Sequence, residues 1–342
     1  MTTTLEDGLP ETTEEMRQCL HKLTIEQKIH LAHQTLLPYP YFHQIFDSID
    51  ECRRINPFRE EPECVFVGGE TNAGKTTIAK EYVAKYPRED LETRTRIPVI
   101  HIRVYSPPSS TTLCKQTLYA ISTTTDLRGP TDRHTANLVA LLHDVKNEVI
   151  IFDEVQEFHH NKRVETSLVL ASWIKDLSGL AHVTIVLMGM PKAETLFSLN
   201  EQLSRRFPRR IRIQPFKYDT ADAQKEFDTL LTDAEFAMPL EYPLHIDSPN
   251  IAPRIYYASN GCIGFASDLI RGATIRGLER GDRQLSTDLL SQSFEENIRE
   301  HFQSKVNPFK RKTLSPEQAL ELIATEKRKS DDKKKEGKNE LV

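Results

Sequence analysis

The stretch Val65–Thr77, VFVGGETNAGKTT, decides the fold of this chain. It matches the pattern G-x-x-x-x-G-K-[ST] with Gly69, Gly74, Lys75 and Thr76. The apolar run Cys64–Val67 before it predicts a buried strand. In such a loop, backbone N–H groups surround a phosphate, Lys75 reaches the β- and γ-phosphates, and the Thr76 hydroxyl ligates Mg²⁺. A helix beginning near Lys75 would direct its positive dipole end at the same anion. The stretch therefore predicts a nucleoside triphosphate site made of Gly69, Glu70, Thr71, Asn72, Ala73, Gly74, Lys75, Thr76 and Thr77.

Composition limits the classes of protein to consider. The 342 residues are 38 % hydrophobic and 28 % charged, and no apolar run approaches the ~20 residues that span a bilayer. We therefore expect no membrane partner. The acidic, polar N-terminus does not resemble a secretory signal. Five scattered cysteines without a C-x-x-C pair argue against a disulfide framework or zinc site and predict a cytoplasmic protein. With a net charge of −5, any nucleic-acid surface must be local.

The pattern after the phosphate loop is that of an α/β domain. Helical segments alternate with short apolar runs that predict strands at Ile97–Val104, Glu148–Glu154, Val183–Gly189 and Arg210–Gln214. Such alternation indicates a parallel sheet flanked by helices. From Lys217 onward no strong strand follows, and helices are predicted at Ala221–Leu231, Asn250–Ser259, Ile263–Arg280 and Thr287–Ser304.

Four regions follow from this pattern. Residues 1–38 form an N-terminal extension, 39–216 the nucleotide-binding α/β domain, and 217–306 a smaller all-helical lid. Residues 307–342 are predicted to be a disordered tail of mixed charge. Between Glu326 and Glu340 this tail carries seven Lys or Arg and five Asp or Glu residues, with almost no apolar surface to bury.

The run VIIFDE at residues 149–154 supplies the second half of a nucleotide site. Asp153, at the end of a predicted strand, can hold Mg²⁺ through water, and Glu154 can orient or deprotonate the water that attacks in line. Asp and Glu adjacent on one strand resemble the AAA+ ATPases, in which the catalytic glutamate follows the magnesium aspartate. This resemblance implies ATP with Mg²⁺ as cofactors and hydrolysis to ADP and phosphate.

The sensor residues of AAA+ proteins are hard to place in this chain. Met188-Gly189-Met190-Pro191 offers no Asn, Thr or Ser at the end of the predicted strand, and Thr184 fits better as an ordinary strand residue. In the glycine-containing segment of the lid, the first arginine is Arg271, which either reaches the nucleotide or leaves the second sensor missing. Reduced sensors fit a slow, partner-stimulated ATPase.

The segment EQLSRRF, residues 201–207, precedes the last predicted strand. In AAA+ proteins the arginine that reaches a neighbouring subunit's γ-phosphate lies on such a helix, where a guanidinium stabilises charge on the transferred phosphoryl group. Arg205 and Arg206 are the candidates, and we favour Arg205. The alternative is a solvated basic face that they form with Arg209, Arg210 and Arg212.

A narrower resemblance rests on five motifs: GGETNAGKTT, a strand followed by Ser-Pro-Pro-Ser, IIFDE-x-Q with Gln156, LMGMP and EQLSRRF. Together they resemble the TnsC/TniB transposition regulators, AAA+ ATPases of Tn7-like and CRISPR-associated transposons. The resemblance implies a homo-oligomer, a ring or helical filament, on double-stranded DNA. It also implies that the oligomer bridges a TniQ/TnsD-type target selector and a TnsB-type transposase.

In this family the DNA-facing residues follow the second strand and line the inner surface of the oligomer. Here that region offers Arg103, Thr111, Thr112 and Lys115, with Lys115 as the first candidate and an ordinary capped surface helix as the alternative. The predicted function is an ATP-dependent regulator that links target selection to transposase recruitment on DNA in the bacterial cytoplasm. Two other functions stay open: a DnaC/IstB-like loader, and a signalling NTPase switch that does not bind DNA.

Overall fold

A computed structural model describes residues 9–10, 12–37, 39–122, 130–159 and 164–339. The chain divides into two compact units. One is Pro40–Gln214, and the other combines Met1–Tyr39 with Pro215–Val342. Within the described ranges, no helix has both the length and the apolar character needed to cross a bilayer.

The elements of the first half are as follows. Two helices precede the α/β unit: α1 (Thr13–Cys19) and α2 (Ile25–Gln34). The strands of the α/β unit are β1 (Val65–Gly69), β2 (Glu89–Asp90), β3 (Thr95–Arg96), β4 (Val99–Arg103), β5 (Val149–Asp153), β6 (Thr184–Gly189) and β7 (Arg209–Ile213). Its helices are α3 (Pro40–Ile55), α4 (Lys75–Lys85), α5 (Ser110–Ile121), α6 (Thr131–Asp144), α7 (Val164–Ala181), α8 (Leu196–Leu199) and α9 (Glu201–Arg206).

The α/β unit is built on a five-stranded parallel sheet in the order β4-β5-β6-β1-β7. Every residue of β1, β5 and β6 is buried, as expected for parallel strands whose two faces are both covered. The predicted α/β class, with a parallel sheet flanked by helices, is therefore confirmed. The short antiparallel ribbon of β2 and β3 lies in a charged segment between α4 and β4.

The order of the strands positions the site. β4, β5 and β6 lie on one side of β1 in the sheet, and β7 lies on the other side. The order of the strands therefore changes direction at β1. In open parallel sheets, ligands bind beyond the carboxyl ends of the strands at such a point. The loop after Gly69 occupies this position.

The second unit is all helical. Besides α1 and α2 it contains α10 (Ala221–Ala237), α11 (Ala252–Ser259), α12 (Ile263–Arg280), α13 (Thr287–Ser293) and α14 (Pro316–Asn339). The predicted helix Thr287–Ser304 is shorter in the structure, because α13 passes into a π-helical turn, Phe294–Ile298, and ends there.

Two arginines attach the N-terminal helices to this unit. The guanidinium of Arg17 donates to carbonyls at the end of α10, including those of Phe236 at 2.8 Å and Met238 at 3.0 Å. Arg271 of α12 donates in the same way to Ala32 and Thr35 at the end of α2, both at 3.1 Å. The last carbonyls of a helix lack partners within the helix, so each arginine satisfies groups that would otherwise need water. Residues 12–39 thus belong with the helical unit, whereas the sequence placed residues 1–38 in a separate extension.

The C-terminal region also differs from its prediction. Residues 307–342 were expected to be disordered, but α14 extends from Pro316 to Asn339. Leu314 and Ala319 are buried against Tyr257 of α11, and Leu322 and Ile323 pack on the same cluster. The spacing of Ala319, Leu322 and Ile323 puts their side chains on one helix face, which gives this part of the helix an apolar surface to bury. The high charge that suggested disorder begins only after these residues.

Candidate active site

The loop between β1 and α4 is a tight turn. Asn72 and Gly74 have φ angles of 60° and 84°, in the left-handed region that favours glycine. A Cβ atom on Gly69 would lie only 3.0 Å from Ala73 Cβ and 3.2 Å from Ile213 Cβ, so a side chain here would force its neighbours to shift by a few tenths of an ångström. The loop therefore closes directly over the end of β1 and leads into the N-terminus of α4 at Lys75.

Lys75 places a cation inside this loop. Its side chain is buried, and its Nζ donates to the carbonyl oxygens of Gly69 at 2.7 Å and Glu70 at 2.8 Å. A buried ammonium at the N-terminus of an eleven-residue helix is a strong attraction for an anion. Glu70 and Thr71 lie exposed at the outside of the loop, and Thr77 is half-buried on α4.

The loop and β5 meet through one short hydrogen bond. Thr76 Oγ1 donates to Asp153 Oδ2 at 2.6 Å. Burial raises the pKa of Asp153, but the nearby His101 ring and hydrogen bonds from Thr76 and the Glu154 amide outweigh it and lower the pKa below its ordinary value. The carboxylate is therefore ionised at neutral pH. A hydroxyl and a carboxylate oxygen at this distance fit a Mg²⁺ ion, which prefers oxygen ligands.

His101 on β4 is a member of the site that the sequence analysis missed. Its Nε2 lies 3.6 Å from Asp153 Oδ2. His101 stands opposite Ile151 in the β4–β5 register, so its ring reaches the end of β5. The sequence signal for this residue was a histidine within the mostly apolar run IPVIHIRV. Its contact with Asp153 could not be predicted, because it depends on how β4 pairs with β5, a strand far away in the sequence.

Glu154 stands directly after β5 with a φ angle of 64°. Its backbone N–H donates to Asp153 Oδ1 at 2.8 Å, and its side-chain carboxylate accepts from Gln156 Nε2. Gln156 Oε1 in turn accepts from the Met190 N–H at 3.0 Å, just beyond β6. The structure thus brings Lys75, Thr76, Asp153 and Glu154 together at the carboxyl edge of the sheet.

Arg205 and Arg206 lie at the amino ends of the parallel strands, opposite the carboxyl ends where the phosphate loop lies. The carbonyl of Arg206 accepts from Cys64 N at 2.7 Å, and Cys64 precedes Gly69 by five strand residues, or about 17 Å. The Arg205 side chain is 75 % exposed and pairs with Glu201 at 2.6 Å. The Arg206 side chain is only 12 % exposed and pairs with Glu61 at 3.2 Å. Within one chain, the structure does not bring either arginine to the phosphate loop.

The four DNA-contact candidates lie near β4 and α5. Arg103 is exposed at the end of β4, and Lys115 is half-exposed on α5. The hydroxyls of both threonines are engaged locally: Thr111 with Thr131 at 2.5 Å, and Thr112 with the capping Ser109 at 2.8 Å. The sequence analysis did not consider Tyr119, which is 56 % exposed one turn after Lys115. The sequence signal for Tyr119 was its position four residues after Lys115, which puts both side chains on the same face of the helix.

The candidates for sensor residues have other contacts. Thr184 Oγ1 accepts from Asn56 Nδ2 at 2.8 Å at the beginning of β6, five residues before the strand ends at Gly189. Arg271 binds the carbonyls at the end of α2, as described above. The glycine at 261 allows close packing within the helical unit, since a Cβ there would lie 2.3 Å from the Phe216 carbonyl oxygen.

Known proteins share the sequence pattern and the fold of this chain. A family model described as bacterial TniB protein matches residues 28–218, more than half of the chain. No curated protein matches. Among solved structures, Cdc6p from Pyrobaculum aerophilum has a TM-score of 0.56 at 14 % identity, over 79 % of this chain and 71 % of that one. The Aeropyrum pernix ORC1 protein in complex with DNA has a TM-score of 0.52 at 16 % identity, over 78 % and 68 %.

A third similar structure, Drosophila ORC bound to DNA, has a TM-score of 0.51 at 13 % identity and covers 82 % of this chain and 69 % of that one. At these identities the likeness concerns the fold alone. The fold is that of the AAA+ ATPases, which confirms the expected fold class.

Proposed function

The chain belongs to the TniB family, and from this premise we propose that it is an ATPase that assembles on double-stranded DNA and links target-site selection to recruitment of a transposase. One observation carries the proposal: Lys75, Thr76, Asp153 and Glu154 converge at the carboxyl edge of the sheet. The confirmed family resemblance supports the role in transposition. The location that follows is the bacterial cytoplasm, on DNA.

Each residue of the site has a distinct role in ATP hydrolysis. The loop N–H groups and Lys75 hold the β- and γ-phosphates, and Glu70, Thr71, Asn72 and Ala73 shape the loop around them. Thr76 and Asp153 would hold Mg²⁺ through their oxygen atoms, and the ion would supply positive charge to neutralise the phosphates. Glu154 orients the attacking water and accepts its proton. ADP and phosphate are the products.

The arginines complete the site from a neighbouring subunit. Arg205 is exposed at the edge of the sheet opposite the phosphate loop, where its guanidinium cannot reach its own nucleotide. An arginine that points outward from this edge is well placed to meet the phosphates of the next protomer, where it stabilises charge on the transferred phosphoryl group. Arg206 is the second candidate, although its pairing with Glu61 favours a role within its own subunit. Nucleotide state and assembly state are therefore coupled.

The DNA contacts come from Arg103, Thr111, Thr112 and Lys115. Binding without sequence preference needs cations and hydroxyl donors for phosphate oxygens, which these residues provide. A net-acidic chain can bind DNA in this way because an assembled oligomer sums one or two basic contacts from every protomer. Two of the structures with the same fold were determined with DNA. The partners at the ends of the assembly are a TnsB-type transposase and a TniQ/TnsD-type selector, and contact with the transposase stimulates slow hydrolysis.

A mobility-shift experiment on random duplex DNA tests this function. The full chain is mixed with the duplex without nucleotide, with ADP and with a non-hydrolysable ATP analogue. We expect slowly migrating, multi-protomer complexes only with the analogue. Binding of the analogue without any nucleotide-dependent shift of DNA would overturn the proposal and favour a signalling switch. Assembly on single-stranded DNA in preference to duplex would favour a loader.

A further inference from the structure

Gln156 connects the end of β5 to the end of β6. It lies in the short helical turn Val155–His159, and only 8 % of its surface is exposed. Its amide nitrogen donates to the carboxylate of Glu154, and its Oε1 accepts from the Met190 N–H at 3.0 Å. The orientation of the amide follows from its partners, because a carboxylate accepts only and a backbone N–H donates only. The nitrogen and the oxygen of this buried amide therefore bond to residues that follow two different strands, Glu154 after β5 and Met190 after β6.

The glycine at 189 makes this connection possible. A Cβ atom at that position would lie 2.8 Å from Val155 Cγ2, 2.9 Å from Gln156 Oε1 and 3.2 Å from Gln156 N. The two shortest of these distances are below those of real Cβ contacts, so a larger residue at this position would displace the side chains of Val155 and Gln156. The lack of a side chain at position 189 thus leaves room for the Gln156 amide beside the Met190 N–H.

Glu154 is constrained from its backbone as well. Its φ of 64° lies in the left-handed region, which a non-glycine residue occupies when its surroundings fix it. Its N–H is held by Asp153 Oδ1, and its carboxylate by Gln156. The segment Met188-Gly189-Met190 supplies no polar side chain at the end of β6. Gln156 brings an amide to this place from the helical turn that follows β5.

We propose that Gln156 is a positioning residue for ATP hydrolysis, which fixes the carboxylate of Glu154 relative to the end of β6. The inference rests on the proposed function, since it needs Glu154 to be the catalytic carboxylate. Gln156 holds one carboxylate oxygen and leaves the other free to orient the attacking water. A general base must be held close to its water, and a displacement of about 1 Å can cost a hundredfold in rate.

Two substitutions separate the two contacts of Gln156. Gln156→Ala removes both contacts. Gln156→Glu keeps the size of the side chain and an oxygen that accepts from the Met190 N–H, but it replaces the NH₂ group that donates to Glu154 with a carboxylate oxygen. We expect both variants to lower kcat for ATP hydrolysis, measured with duplex DNA present, about tenfold or more. The KM for ATP should change less than about twofold, because neither substitution touches the loop Gly69–Thr76. Gln224→Ala, in the helical unit, is the matched control and should leave both constants unchanged.

A double-mutant cycle tests whether Gln156 acts through Glu154. The background is Glu154→Asp, which keeps a carboxylate for slow residual hydrolysis but is one methylene too short to meet the Gln156 amide, so Gln156→Ala should cause no further fall in kcat there. A further fall of the same size as in the wild-type background would overturn the proposal. Affinity for a fluorescent ATP analogue serves as the check on folding: if Gln156→Ala and Gln156→Glu both lose it, the role of Gln156 is structural and the proposal is wrong.

The failure of this inference and that of the proposed function give different results. Only the positioning role is overturned if three results occur together: wild-type protein hydrolyses ATP, Glu154→Gln stops hydrolysis, and both Gln156 variants retain full kcat. If wild-type protein and Glu154→Gln are equally inactive with ATP, Mg²⁺ and duplex DNA present, the proposed function itself fails.

Discussion

The hydroxyl of Thr76 donates a 2.6 Å hydrogen bond to the carboxylate of Asp153, which joins residues 77 positions apart in the chain. Thr76 stands in the first turn of α4, and Asp153 ends β5, which is separated from β1 by β6. The bond therefore connects the phosphate loop to a strand that is not its neighbour in the sheet. An oxygen pair held in this way is ready for a divalent cation, and Lys75 beside it is ready for phosphate.

Lys75→Ala should weaken nucleotide binding strongly, and assembly on DNA with it. The substitution removes the only positive side chain of the loop Gly69–Thr76, and a hydrogen bond to a charged group contributes enough for a tenfold to roughly hundredfold loss of ATP affinity. Equilibrium binding of a fluorescent ATP analogue and electron microscopy of DNA complexes would measure the two effects. Lys80→Ala, exposed on the same helix, is the control. Intact filaments in Lys75→Ala would contradict the coupling.

Glu154→Gln should trap ATP-bound oligomers. The amide keeps the size of the carboxylate but cannot accept a proton from water, so ATP binds without being hydrolysed. We expect DNA complexes that persist after excess competitor DNA is added, while wild-type complexes decay as ATP is consumed. The lifetime of the complexes on labelled duplex measures this. Faster disassembly than wild type would count against Glu154 as the catalytic residue.

How much of this site the sequence reveals depends on the distance over which each contact is made. The loop Gly69–Thr76 and the pair Asp153–Glu154 are local patterns, each next to an apolar strand, and both were predictable. The contact of His101 with Asp153 depends instead on the register between β4 and β5. The contact of Gln156 with Met190 likewise depends on how β5 and β6 align.

The helical unit shows the same limit. Arg17 and Arg271 bind helix ends more than 200 residues away in the chain, and no local pattern indicates these partners. The start of α14 was missed for a different reason. Its apolar stripe is short, and the charged residues after it dominated the composition of the window.

The Arg205→Ala variant should lose ATP hydrolysis, and mixing it with Glu154→Gln subunits should restore the activity. Because the Arg205 side chain is largely exposed, its removal should leave folding and ATP binding unchanged but lower kcat of the assembled protein about a thousandfold, as for other arginines that act in trans. In mixed oligomers, Glu154→Gln subunits supply an intact Arg205, and Arg205→Ala subunits supply an intact site. The mixture should therefore regain ATPase activity that neither variant has alone.

The matching experiment with Arg206 is the control. Arg206 is largely buried and paired with Glu61, so Arg206→Ala should lower the melting temperature, and mixing should not restore any lost activity. If instead Arg206→Ala is complemented in mixed oligomers and Arg205→Ala is fully active, the two residues exchange roles.

Lys305 should make the stability of the helical unit depend on pH. Its side chain is buried at the end of α11, where it donates to the Tyr257 carbonyl and, at 2.7 Å, to Asn260 Oδ1. Burial lowers the pKa of Lys305 to about 7, and Glu326 opposes this shift. Above pH 7 the unfolded chain, with its ordinary lysine pKa, binds more protons than the folded one. The free energy of unfolding should then rise with pH by up to about 1.4 kcal/mol per unit.

Chemical denaturation between pH 6 and 8.5 measures this slope. Below about pH 7 the lysine is protonated in both states, so its contribution to the slope should vanish. Lys305→Met should remove the rise above pH 7, whereas Lys310→Met, an exposed neighbour, should keep it. Equal slopes in wild type and Lys305→Met would show that the buried ammonium stays charged in the folded protein.

Two truncations should separate the packed and the charged parts of the C-terminus. Deletion of Leu314–Val342 removes the side chains that cover Tyr257, and we expect it to lower the free energy of unfolding by roughly 3 kcal/mol or more. Deletion of Lys327–Val342 leaves this cluster, and the bond from Tyr257 to Glu326, in place. The shorter deletion should therefore unfold like the full chain. Thermal denaturation of the two variants measures the difference.

The shorter deletion also tests what the charged segment does. Because Lys327–Val342 lies beyond the cluster around Tyr257, its removal should spare basal ATPase activity and ATP-dependent assembly on DNA. A segment with so many charges is suited to a weak electrostatic contact, so we expect binding of the transposase partner to weaken, and to weaken less at high salt, where the contact is already screened. Surface plasmon resonance at two salt concentrations measures both effects. Unchanged transposase affinity at low salt would assign the segment to solubility alone.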